Sequence, residues 1–179
     1  NLILLYLSDN DLAVYAVIIN VSTIVQCSAY GIGQAGQPII SSNFGAKNDE
    51  RVKEMLKLNI ITSFVLGLIC TLIVIAIPNI IIKVFMSPTE EVLAIAPHIM
   101  RIYAISFILL PYNVYATYYF QAILKEKVSI VISLARGIVL SGIILVLLPL
   151  VFGGNAIWWT MPITELIVAI YVTIKITKL

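Results

Sequence analysis

Charge is what this sequence has least of. Asp, Glu, Lys and Arg make up 11% of its 179 residues, against roughly a quarter in ordinary soluble domains. There is a single histidine, His98, and there are two cysteines, Cys27 and Cys70, both in apolar runs. No Cys/His cluster has metal-ligand spacing, no nucleophile stands beside a base, and no phosphate-binding loop occurs. Enzymatic chemistry, a resident metal and an organic cofactor are therefore not expected. The two thiols are expected to be buried and free. A net charge of +2 says little about partners. The basic loop GAKNDERVK (45–53) is short and mixed in sign, so nucleic-acid binding is not supported. The start of the chain lacks a basic region and a cleavage site, so no signal peptide is read.

What the chain has is apolar residues, 61% of the total, with a mean hydropathy of +1.06. This composition belongs to a membrane protein. A spanning helix needs about 20 apolar residues, and five stretches qualify: 12–44, 56–78, 93–124, 128–151 and 156–176. The fold expected is all-α, a polytopic transmembrane helix bundle occupying residues 1–179. Residues 1–7 are too few to cross a bilayer and are expected to be the end of a cut preceding helix, so the chain reads as a piece of something longer. Lys47, Arg51, Lys53, Lys57, Lys125, Lys127, Lys175 and Lys178 fall on one side of these spans. The other side holds Lys83 and Arg101. By the positive-inside rule, loops 45–55 and 125–127 and the C-terminus are cytoplasmic. The bilayer itself is the first expected partner.

Three polar features stand out of this apolar background. Gln26, Tyr30, Gln34, Gln37 and Ser41 are spaced 4, 4, 3 and 4 apart and share one helix face. Lipid cannot satisfy three amides, so the face is either a seam between helices or the lining of a wet cavity. GIGQAG (31–36) matches a dinucleotide fingerprint in letters only, since it lies inside a span. Gly33 and Gly36, with Ala29, are better suited to close helix packing. The third span carries Tyr112, Tyr115 and Tyr119 on one face and Asn113, Thr117 and Gln121 on another. Mid-membrane aromatics such as Tyr112 and Tyr115 suit flat or cationic organic molecules.

Two charges lie within the membrane. Arg136 is eight residues into its span and Glu165 nine into the next, so at 1.5 Å per residue they lie about 12 and 13 Å deep from opposite sides. In a core of about 30 Å these levels nearly coincide. The two spans are consecutive and antiparallel, so the residues can meet and relieve each other's burial. Glu165 is either a functional carboxylate for a proton, cation or cationic substrate, or the structural partner of Arg136. Pro38, Pro111, Pro149 and Pro162 fall inside spans and free a carbonyl each, whereas Pro97 is placed one turn into its span. His98 and Arg101 are expected near the surface, solvated or snorkelling.

The run GQAGQPIISSNFGAKNDERVK resembles the second helix and following loop of the C-terminal lobe in the multidrug and toxic compound extrusion (MATE) transporters. LARGIVLSGIILVLLPLVFGGNAIWWTMPITELI is similar to that family's last two helices. The resemblance covers essentially the whole chain. It implies one six-helix lobe, its first helix truncated, of a two-lobed transporter of the cell membrane. Its partners would be the N-terminal lobe and lipophilic cationic small molecules. The implied function is cation-coupled antiport by alternating access, driven by Na⁺ or H⁺. Gln26, Tyr30, Gln34, Gln37, Ser41, Tyr112, Asn113, Tyr115 and Glu165 would line the cavity, with Arg136 as charge partner. Some branches carry an acid in the helix corresponding to 97–124, and this sequence has none, which leaves the coupling ion open. The alternative is a flippase for lipid-linked oligosaccharides, a related architecture that would call for more cavity cations.

Overall fold

A computed structural model describes residues 7–179; residues 1–6, part of the expected cut helix, lie outside the described residues. Eight α-helices follow in order: α1 Asp9–Gly45, α2 Asp49–Ala76, α3 Pro78–Phe85, α4 Glu90–Ala104, α5 Ser106–Ala122, α6 Glu126–Leu134, α7 Leu140–Phe152 and α8 Thr160–Thr177. A π segment, Ala135–Val139, joins α6 to α7, and a 3₁₀ segment, Gly154–Trp159, joins α7 to α8. Five of the resulting rods are long and apolar enough to cross a membrane: Asp9–Gly45, Asp49–Ala76, Glu90–Ala122, Glu126–Phe152 and Gly154–Thr177. No strand occurs among the described residues.

The starts of the helices are written in local chemistry. Ser8 accepts the Asp11 N–H at 3.3 Å while its own N–H donates to the Asp11 carboxylate at 3.0 Å, a reciprocal capping box. Thr89 accepts the Val92 N–H at 3.3 Å, and Asn48 accepts the Arg51 N–H at 3.3 Å. Acidic residues fill the first turns of α1, α2 and α4, where the helix dipole favours them. α1 runs unbroken for 37 residues through Pro38, about 55 Å at 1.5 Å per residue, and so exceeds the hydrocarbon thickness.

The third rod is not the single helix expected over 93–124. It divides at Ile105, where the Ile105 and Ile108 amides bond three residues back, at 3.2 and 3.3 Å. The Ser106 hydroxyl donates to the Tyr103 carbonyl at 2.7 Å. From across the interface, the Thr71 hydroxyl of α2 donates to the Ala104 carbonyl at 3.0 Å. Pro111 has no N–H to offer the Phe107 carbonyl, and Gly67 of α2 lies against that oxygen. A Cβ added at Gly67 would sit 2.5 Å from Phe107 O and 2.7 Å from Ile108 O. α4 also begins earlier than expected, so Pro97 stands two turns inside it rather than one. The short α3 was not foreseen; Pro78 opens it at a position where the missing N–H would be unpaired in any case.

α5 is the central element, packed against α1, α2, α6 and α8. Its residues 110–116 are all buried, which is why its pattern shows no polar face turned outward. Two apolar clusters fill the lobe. One, at the N-terminal end of α1, gathers Val14, Ile18, Ile82, Met100, Phe107 and Trp158. The other, toward the 45–57 end, gathers Ile40, Tyr115, Tyr119, Phe120, Ile132 and Val172. The exposed surface of α2, α6, the π segment and α7 is itself apolar, with Leu58, Leu68, Leu72, Ile130, Ile138 and Leu150 each about half or more exposed. Such a surface suits lipid rather than water.

Gly33 and Gly36 make the close approaches expected of them. A side chain at Gly33 would collide with the Tyr118 ring, and one at Gly36 would come within 3.0 Å of Asn59. Cys70 is half-buried, but Cys27 is exposed, contrary to expectation, because it lies on the side of α1 turned away from the core face of Val25 and Ala29. Arg101 is exposed and donates to the Ile75 carbonyl at the end of α2, at 3.2 Å.

Candidate functional site

Glu165 is fully buried, the only ionised-type side chain among the described residues that is. It stands on α8 one turn beyond Thr160 and Met161, facing α5 and the π segment. One carboxylate oxygen accepts the Arg136 Nε–H at 2.6 Å. The other accepts the Asn113 amide N–H at 2.6 Å, and the same Asn113 nitrogen lies 2.9 Å from the Glu165 carbonyl oxygen. Arg136 and Glu165, at nearly one depth by helix rise, are in contact. Asn113 was read separately as a cavity residue, and nothing in the spacing of 113 and 165 connects them. Helix packing alone brings α5 and α8 together here.

The grip on Glu165 is asymmetric. Arg136 uses Nε alone; its terminal nitrogens make no hydrogen bond among the described residues, and its side chain is 14% exposed. It sits in a π turn, a local insertion that re-aims side chains and recurs at functional sites. On the same two helices, Asn113 Oδ1 of α5 and Thr160 Oγ1 and Thr164 Oγ1 of α8 are buried with no hydrogen-bond partner among the described residues. Sequence reading did not single out the two threonines, although their place in the turns leading to Glu165 was the available signal.

The α1 stripe lies elsewhere. The core face of α1 is Val25, Ala29, Gly33, Gly36 and Ile40, and each stripe residue follows one of these by one position. The stripe is therefore rotated about 100° from the packed face. Tyr30, Gln34 and Ser41 are exposed, and Gln26 and Gln37 partly so. Gln26 and Tyr30 hydrogen-bond to each other within the helix. Gln37 donates to Gln121 of α5 at 3.4 Å, and Gln121 donates to Ser129 of α6 at 3.0 Å.

Tyr112 and Tyr115 are in the packed interior, 4% and 0% exposed. Tyr112 stacks on Phe64 at 5.3 Å between centroids, and its hydroxyl pairs with Thr173 at 3.0 Å. The Tyr115 hydroxyl is unpartnered. A cavity of about 560 Å³ opens between α1, the π segment with α7, the 3₁₀ segment and α8. Tyr15, Tyr103 and Trp158 line it together with Gln26, Thr160, Gly137 and Gly142. Of the residues expected at a site, Gln26 is the one on its wall.

This geometry has close counterparts. The MatE family matches residues 1–148. The multidrug export protein MepA of Staphylococcus haemolyticus (strain JCSC1435) is 24% identical over 169 residues, 94% of this chain and 37% of that protein. The outward-facing structure of a multidrug resistance MATE family transporter of the MOP superfamily superposes with a TM-score of 0.87 at 15% identity, over 99% of this chain and 41% of the other. An inward-facing structure of such a transporter gives 0.86 at 14% identity, over 99% and 42%. The chain spans well under half the length of each of these proteins.

Proposed function

This chain belongs to the MatE family, and on that premise we propose that it is the C-terminal lobe of a secondary active exporter of lipophilic cationic compounds. The fold is one lobe of a two-lobed transporter, and the N-terminal lobe of the same protein is its first partner. The observation that carries the reading is the exposed polar face of α1. Tyr30, Gln34 and Ser41 are open on a lobe whose remaining exposed helices present Leu, Ile and Val. Unpaired amides facing lipid would each lose hydrogen bonds worth several kcal/mol. A cleft between two lobes supplies water or substrate instead, and a site between repeats is a general transporter design.

Substrate crosses by alternating access, with the lobes rocking about that cleft and an inward cation gradient supplying the work. The 45–55 and 125–127 loops face the cytoplasm of a cell membrane, as their lysines and arginines require. Oligosaccharide flipping is the weaker reading. Anionic head groups would call for several cationic side chains along the cavity, and its wall among the described residues carries none.

The test is efflux of a fluorescent lipophilic cation by the full-length protein. Gradient-dependent efflux that falls severalfold in Gln34→Ala/Gln37→Ala, with membrane abundance unchanged, is the expected result. Undiminished efflux in that variant would remove α1 from the substrate path.

A further inference from the structure

We infer that Tyr118 of α5, seated against Gly33 and paired with Tyr30 of α1, is the residue by which this lobe prefers flat aromatic cations to bulky ones. This rests on the exporter reading and gives the open α1 face a specificity determinant from a second helix, one that the spacing of the stripe does not contain.

Three observations converge on it. The first is how the ring is held. Tyr118 stands one turn before Gln121 and reaches across to α1, where Gly33 leaves it room. A Cβ added at Gly33 would lie 2.7 Å from Tyr118 Cγ and 2.8 Å from its Cε2, whereas carbon atoms in contact stand about 3.5–4.0 Å apart. The glycine is thus a notch in α1 that seats this ring.

The second is the pair it makes. The Tyr30 and Tyr118 rings meet edge to face, with 6.3 Å between centroids and 68° between planes, an attractive geometry for aromatic side chains. The Tyr30 hydroxyl is held in turn by the Gln26 amide. Both rings are therefore placed before a ligand arrives, which spares ordering entropy on binding. They are not enclosed. Tyr30 is 36% exposed and Tyr118 is partly exposed, and among the described residues neither ring has a second aromatic neighbour. An edge-to-face pair occupies one face of one ring and leaves the others open.

The third is what surrounds the rings. Gln34 stands one turn beyond Tyr30, and Gln37 donates to Gln121 at 3.4 Å, so amides border the pair. Neither α1 beyond Asp11 nor α5 carries an Asp or Glu. A cation on this surface meets ring quadrupoles and amide oxygens rather than a carboxylate of these helices. Ring faces favour a charge that can lie directly on them. A flat, delocalised cation does so, whereas a propeller-shaped one keeps its charge behind twisted rings.

The test is binding of two cations to the purified full-length protein: acriflavine, a flat tricycle, and tetraphenylphosphonium, a propeller. Tyr118→Leu is expected to weaken acriflavine about fivefold and tetraphenylphosphonium less than about twofold. Tyr118→Phe keeps the ring and should restore most of the acriflavine affinity. Tyr30→Leu, on the exposed face, should shift the preference in the same direction, and it serves if Tyr118→Leu does not fold. Equal weakening of both cations by these leucine variants would make the rings packing only and overturn the inference. So would no weakening of either, in a protein that still exports both under an ion gradient, and the exporter would stand. Absence of gradient-driven export of both cations by the unmodified protein instead removes the exporter reading beneath it.

Discussion

Two polar regions of this lobe solve the same problem in opposite ways. At Glu165 a buried carboxylate is paired across three elements, with Asn113 of α5 and Arg136 of the π segment, so all three must be in place for both of its oxygens to be satisfied. Along the α1 stripe the polar groups are neutral and open, and their bonds are few: Gln26 with Tyr30 and Ser41 to the Pro38 carbonyl within the helix, and one long bond from Gln37 to Gln121. The difference teaches what each can do. A buried charge locks a packing arrangement, because breaking it leaves an uncompensated ion. An exposed amide face locks nothing and is free to meet whatever fills the neighbouring space.

The comparison breaks first, and hardest, at the ion pair. Arg136→Leu strands the Glu165 carboxylate and is expected to destabilise the full-length protein by about 3–5 kcal/mol, read as a fall in Tm in detergent. Arg136→Leu with Glu165→Leu should recover most of that loss; equal instability in both variants would show that the pair is not what holds α8 to the π segment.

A smaller effect is expected where α2 meets the break in the third rod. Gly67→Ala drives a methyl onto the Phe107 and Ile108 carbonyls and should lose about 1–3 kcal/mol by overpacking. Gly142→Ala, which meets open space, serves as the control, and a Tm shift as large there would contradict the packing described.

On α1 the stability effect should nearly vanish. Gln34→Ala is expected to change stability by no more than about 0.5 kcal/mol, so that any loss of efflux reports function alone. Accessibility sharpens the contrast. Cys27 is exposed, so it is first replaced by Ser. Cysteine at position 34 should then react with a polar thiol reagent on the order of tenfold faster than cysteine at position 164. Similar rates at both positions would mean that the interior is wet or the face is covered.

Much of the fold was legible beforehand, and the failures are instructive. Capping chemistry at Ser8, Asn48 and Thr89 is local, and so are the long apolar runs. The meeting of Arg136 and Glu165 followed from helix rise and antiparallel order. The division at Ile105 did not, because it depends on Thr71 and Gly67 arriving from α2. Cys27 was misjudged for a related reason. In a helix whose lipid side and core side are both apolar, periodicity does not say which face is packed.

By itself the sequence determined the solvent this protein lives in, the number of rods and the level at which its two intramembrane charges lie. These follow from chain-local quantities: apolar run length against bilayer thickness, and rise per residue. Only the tertiary structure decided that Asn113 completes the Glu165 site, that Tyr112 and Tyr115 turn inward, and that the α1 stripe stands 100° off the packed face. Each of those depends on the rotation of one helix about its axis relative to another. In an apolar medium that rotation is set by side-chain fit at the interface, which no single helix carries.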